Sequence, residues 1–111
     1  MVKYSNTLQK GAVRYIVFRE RETWYAVGLE FNIVEEGDTP REALLLLFEA
    51  IQGYVEAARK MKARPAILNQ KIDEEYEKIW RAAQEKKRTK YPVYTSGQLN
   101  TSKNSSDFAF V

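Results

Sequence analysis

The segment Gly37-Asp38-Thr39-Pro40-Arg41-Glu42 constrains this chain most, because it dictates where a helix begins. Thr39 suits the N-cap, where its hydroxyl accepts a hydrogen bond from a free helix N–H. Pro40 then occupies the first helical position, where a missing N–H costs nothing. Glu42, three residues after the cap, completes a capping box. Gly37 is placed to turn the preceding strand into the helix with positive φ. The helix predicted from this signal runs from Pro40 to about Met61. Leu44, Leu47, Phe48, Ile51, Val55 and Ala58 form its apolar stripe at helical spacing. Ala43, Leu46, Ala50, Tyr54 and Ala57 widen that stripe beyond what a three-stranded sheet covers, so a second helix or another subunit is expected against it.

Upstream, Arg14-Tyr15-Ile16-Val17-Phe18 is β-branched and aromatic on both faces, which predicts a covered central strand. Arg19–Thr23 reads as a turn. Trp24–Phe31 reads as a second strand, with Tyr25, Val27, Leu29 and Phe31 on one face. Asn32 bends the chain, and Ile33–Glu36 forms a short third strand. Beyond the first helix, Arg64-Pro65 is a break. Asp73 caps a second helix over about 73–88, with Ile72, Tyr76, Ile79, Trp80 and Ala83 as its stripe and Trp80 between the two helices. Acids open that helix and Lys86, Lys87 and Arg88 close it, as the macrodipole favours. Pro92 confines Tyr91–Thr95 to an edge strand. The fold class expected is therefore α+β: a small antiparallel sheet of three to four strands in the order β-β-β-α-α-β. Residues 1–95 form one domain, with 1–11 loose, and the polar residues 96–111 form a flexible tail ending in Phe108-Ala109-Phe110-Val111.

The residue inventory narrows the chemistry. The chain has 111 residues, no cysteine and no histidine. Disulfides and thiolate metal sites are thereby excluded, and so are the commonest general base and zinc ligand. Glu20, Glu22, Glu30, Glu35, Glu36 and Asp38 are the carboxylates available for a metal, but they read as solvated charges. The serines lie in polar terminal segments without an activating base. No catalytic residue, metal site or cofactor is expected. The longest apolar run, Ala43–Phe48, is far short of the roughly 20 residues that span a bilayer, so no membrane partner is expected and a cytoplasmic location is.

Two sets of residues remain as candidate contacts. Charge is uneven: residues 1–58 hold six basic and nine acidic side chains, whereas 59–90 hold eleven and five. Arg59, Lys60, Lys62 and Arg64 form one basic cluster. Lys86, Lys87, Arg88 and Lys90 form another, followed by Tyr91 and Tyr94. Basic residues beside aromatics suit phosphate contact and base stacking, so both clusters are candidate nucleic-acid contacts. They also suit the bland role of a solvated helix end. Tyr15, Trp24, Tyr25 and Phe31, on or beside the hairpin, are candidate partner-binding residues, with packing beneath the helices as the competing role.

The ordered combination of Tyr15–Phe31, then Gly37-Asp38-Thr39 with Glu42 and Ala43, then a leucine-rich helix with Tyr54 near its end, resembles the N-terminal domain of the HicB antitoxin family. The likeness covers about residues 13–58. It implies a truncated RNase H-like fold without catalytic acids. It also implies that the chain forms homodimers or larger assemblies and neutralises a small, basic, RNA-cleaving toxin. Many members of that family carry a C-terminal helix-turn-helix or ribbon-helix-helix domain. Residues 65–88 offer one long helix instead, so this chain resembles a stand-alone domain of that type.

Overall fold

The computed structural model describes residues 6–87 and 91–102. Four strands form one antiparallel sheet in the order β3-β2-β1-β4: β1 Ala12–Glu20, β2 Thr23–Gly28, β3 Ile33–Gly37 and β4 Val93–Asn100. Helix α1, Pro40–Met61, and helix α2, Glu74–Gln84, lie between β3 and β4 in the chain, with a 3-10 turn at Pro65–Leu68 between them. The expected α+β class and element order hold. Strand β1 is central, between β2 and β4, as its apolar composition demands. Strands β1 and β2 join through Arg21–Glu22, and Arg21 adopts the left-handed φ of 60° that suits the twist of a tight hairpin.

The helices cover opposite faces of this sheet. Val13 and Val17 of β1 and Ala26 of β2 pack against Ala43, Leu47, Ile51, Val55 and Ala58 of α1. Ile16 and Phe18 of β1 and Val27 of β2 point the other way and pack against Ile79 of α2, with Tyr76 and Trp80 beside it. Successive strand residues alternate between faces, so β1 feeds both cores. Trp80 therefore packs beneath α2 on the far face rather than between the helices. The extra helix also sets the direction of β4. After α2 the chain is back at the hairpin end of the sheet, where the Arg19 N–H donates to the Pro92 carbonyl, and β4 then runs beside β1, antiparallel to it.

The α1 start follows the cap chemistry. The Thr39 hydroxyl accepts from the Glu42 N–H at 3.1 Å, and Pro40 is the first helical residue. Gly37 differs from expectation, since its φ is not positive and it ends β3 as an ordinary strand residue. Its glycine identity answers to space: a Cβ there would lie 2.9 Å from the Ala43 nitrogen and 3.1 Å from the Glu42 side chain. The helix closes at Lys62, in the left-handed conformation at φ 51°, whose N–H returns to the carbonyls of Ala58 and Arg59.

Three further expectations are corrected. Helix α2 stops at Gln84. Strand β4 runs through Ser96–Asn100, which were expected to be tail, and Leu99 is buried. Residues 6–11 are not loose: Asn6 is 3% exposed, its amide donates to the Leu68 carbonyl and its Oδ1 accepts from the Ala12 N–H. Asn69 reciprocates, accepting from the Asn6 N–H and donating to the Asn6 carbonyl. The apolar residues Phe108–Val111, and Arg88 and Lys90 of the second basic cluster, lie outside the described residues.

Replacing Thr39 by alanine leaves the Glu42 N–H without its partner. Thr39→Ala is expected to lower unfolding free energy by about 1 kcal/mol, read by urea denaturation with an unchanged m-value.

Candidate functional site

The sheet is only partly covered, and the uncovered parts decide what the chain can contact. Helix α1 lies over β2 and β3 on its face, whereas α2 lies over β1 and β4 on the other. The β2–β3 half of the α2 face is therefore open. In register across it stand Phe18, Tyr25 and Glu36, then Ile16, Val27 and Val34. Phe18 is buried beneath the stacked ring of Tyr25, with centroids 5.7 Å apart. Val34 is 42% exposed, and Glu36 is exposed beside Tyr25. Glu20 extends this surface at the hairpin end, accepting from the Tyr91 hydroxyl at 3.0 Å. The result is an apolar strip flanked by carboxylates.

The four aromatic candidates do not converge. Tyr15 and Trp24 lie on the α1 face. The Tyr15 ring meets Phe48 edge-on at 5.0 Å, and burial pushes its hydroxyl above the usual tyrosine pKa. Gly97 of β4 makes room for it, since a Cβ there would lie 2.6 Å from the Tyr15 oxygen. Trp24 packs edge-on to Tyr94 at 6.0 Å and beneath the Arg19 guanidinium. Tyr25 alone stands on the open half of the α2 face. Phe31 is 2% exposed against Tyr54 and has no surface to offer a partner. Strand β2 stops at Gly28, short of the expected Phe31, and residues 29–32 form a turn closed by the Asn32 N–H donating to the Leu29 carbonyl, so Phe31 falls on the α1 face while Leu29 stays on the other.

The two basic clusters also lie apart. Arg59 spends its guanidinium on backbone, donating to the carbonyls of Leu8 and Thr101 at 2.7 and 2.6 Å. Lys60, Lys62 and Arg64 are exposed at that same end of α1. Lys86 and Lys87 follow α2 on the opposite face, and Lys87 pairs with Glu85 at 2.7 Å. The described residues thus present no single basic stripe.

The strongest electrostatic feature is one that sequence reading passed over. Arg14 of β1 bonds Glu30 at 2.6 Å and holds both Glu77 oxygens of α2 at 2.9 Å. Its guanidinium also lies 5.4 Å from the Trp80 ring. The hydrogen bonds from Arg14 hold the Glu77 carboxyl below its usual range, against the opposing effect of burial. Arg14 is itself raised above its ordinary value, chiefly by Glu77. Glu77 also meets Arg81, one turn further along α2, at the longer distance of 3.7 Å. Beside this network a cleft of about 590 Å³ is lined by Asn6, Asn69, Gln70 and Gln98 together with Arg14 and Glu30. The amides of Asn6, Asn69 and Gln70 already donate to the protein's own carbonyls, which leaves the cleft few donors for a ligand. Among the described residues no group of three acidic side chains is arranged to hold a metal ion, and no helix is long and apolar enough to cross a membrane.

Comparisons with protein-family models, with curated proteins and with solved structures find no match to this chain.

The Glu77 carboxyl, depressed in the folded state, contributes stability above its unfolded pKa and loses it as pH falls through the lower folded value. The wild-type chain is therefore expected to lose stability steadily below about pH 4.5. Glu77→Gln should flatten that slope, as followed by urea midpoints across a pH series.

Proposed function

We propose that this chain is a non-catalytic protein-binding domain of HicB type, which neutralises a small, basic, RNA-cleaving toxin. The observation that carries the reading is the open β2–β3 surface. Tyr25 and Val34 supply an apolar strip, and Glu36 and Glu20 frame it with negative charge. An exposed apolar strip with an acidic rim complements a basic partner, the charges steering encounter and the apolar centre supplying affinity. The β-β-β-α order and the Thr39 cap add support, since both belong to the pattern that the HicB likeness implies. The alternative, a nucleic-acid-binding accessory protein, draws less support from the geometry. Its two basic clusters follow helices on opposite faces of the sheet, and Arg59 is committed to backbone carbonyls.

The test begins with the neighbouring gene, where a short, basic, histidine-containing reading frame is expected. Its product should co-purify with this chain and cleave RNA only when the chain is absent. The double variant Val34→Asp, Glu36→Lys should weaken the complex by about thirtyfold, the effect of losing roughly 2 kcal/mol at an interface centre. Calorimetry reads this directly, with thermal unfolding as the control for fold. Absence of such a neighbour, or wild-type affinity in the double variant, overturns the reading.

A further inference from the structure

The two sheet edges differ in a way that assigns them different roles. Edge strand β3 has five residues, two of them glutamates. Charge and shortness are the usual means by which proteins stop strangers pairing with an edge. Edge strand β4, Val-Tyr-Thr-Ser-Gly-Gln-Leu-Asn, has eight residues and no charge at all. Pro92 falls just before it, and a register shift opposite Val17 and Phe18 confines the irregular part of the strand to its first residues, leaving residues 95–100 in regular pairing with β1.

The hydrogen-bond pattern identifies the groups left open. The Thr101 N–H donates to the Gly11 carbonyl, and the Leu29 N–H to that of Arg14. Bonded pairs recur every second residue in an antiparallel ladder. Odd-numbered residues of β1 therefore bond to β4 and even-numbered ones to β2. On β4, Gly97 and Leu99 turn their backbone groups inward to β1. Ser96, Gln98 and Asn100 turn theirs outward, away from the sheet.

We infer that the free edge of β4 is the surface through which two copies of this chain pair, strand against antiparallel strand, joining two four-stranded sheets into one. The occupant follows from charge and register. A strand meeting its own copy about a two-fold axis sets the side chain at the axis against its duplicate and its neighbours close to theirs, so a charge at the centre of the strand would face its like. The β4 sequence holds none. Pairing Ser96 with Asn100 of the other copy, and Gln98 with Gln98, satisfies every outward N–H and C=O on both strands. A basic partner of the kind considered above would find no complementary charge on this edge. Tyr94, 57% exposed beside Trp24, flanks the edge on one face. Gln84, bonded to Ser96 at 2.8 Å, flanks it on the other and widens the contact. The inference stands on β4 alone and is independent of the toxin reading, which uses the opposite edge.

Light scattering coupled to size exclusion should give twice the 12.9 kDa chain mass at high micromolar concentration. Amide exchange gives a second, residue-specific readout. In the paired state the Ser96, Gln98 and Asn100 amides should exchange as slowly as those of Gly97 and Leu99. Dilution to monomer should release the first set alone. Gln98→Pro removes an outward N–H and no bond to β1, so it should halve the mass while keeping cooperative unfolding. Gln98→Lys, which seats like charges at the axis and adds to the positive charge of Arg14 across the strand, tests the same contact without altering the backbone and should weaken pairing most at low salt. A chain of 12.9 kDa at all concentrations overturns the inference. So does a dimer whose outward amides exchange fast. Slow exchange of those amides in a monomer also overturns it, and would assign the edge to another segment of the same chain.

Discussion

The architecture follows from the need to bury both faces of β1. Val13 and Val17 look one way and Ile16 and Phe18 the other, and all four are at most 4% exposed. At roughly 1.5–3 kcal/mol for each fully buried side chain, leaving either pair in water would forfeit about 3–6 kcal/mol, a large share of the roughly 5–15 kcal/mol that holds a domain folded. One helix can cover only one face. The chain must therefore pass around the end of the sheet after α1 and lay a second helix on the other side. The 3-10 turn and the residues after it make that passage. Asn6 and Asn69 hold it by reciprocal hydrogen bonds, and the Gln70 N–H donates to the Glu30 carbonyl at 2.8 Å. Tyr54 of α1 reaches the same region, donating to the Ile67 carbonyl at 2.6 Å.

Arg14 then fixes where α2 lands. It joins β1 to Glu30, just after β2, and to Glu77 in the first turns of α2. All three side chains are about four-fifths covered, so the network lies between a surface ion pair, worth little, and a buried one, which must offset a large desolvation cost. The bidentate geometry makes the arrangement directional. A helix held only by Ile79, Tyr76 and Trp80 could slide along an apolar face, whereas the fork of Arg14 accepts Glu77 in one register. The ion pair sets position more than stability.

Local chemistry made some elements legible and left others hidden. The α1 start is written in adjacent residues, Thr39, Pro40 and Glu42, and needs nothing distant to be read. The centrality of β1 is written in its two-sided apolar composition. The face chosen by α2 is not local. Its stripe says that one side is apolar, but the passage that carries it across depends on Asn6 and Asn69, 63 residues apart. Phe31 was assigned to the wrong face because β2 ends at Gly28 and strict alternation does not survive the turn over residues 29–32. The second half of β4 was hidden because Thr95, Gly97 and Leu99 hold a single apolar side chain, so its strand form comes from pairing with β1 rather than from its own pattern. The role of Arg14 was hidden because its partners, Glu30 and Glu77, belong to elements whose meeting the sequence does not declare. The open β2–β3 surface was half visible, through Tyr25, but it exists only because α2 covers the other half of that face.

That last dependence links fold to function. With a helix on each face, offset toward opposite edges, the sheet keeps one uncovered half on each side and two edges of different character. The α2 side exposes Val34 and Glu36 next to an acidic, five-residue edge. The α1 side exposes Tyr94 next to an uncharged, eight-residue edge. A charged edge discourages strand addition but suits a partner that docks by side chains. An uncharged edge invites backbone pairing and discriminates poorly by charge, which suits a partner already identical in sequence. The two proposed uses would not compete: a chain paired through β4 would still present β2 and β3, once per copy, on the outer margins of the joined sheet.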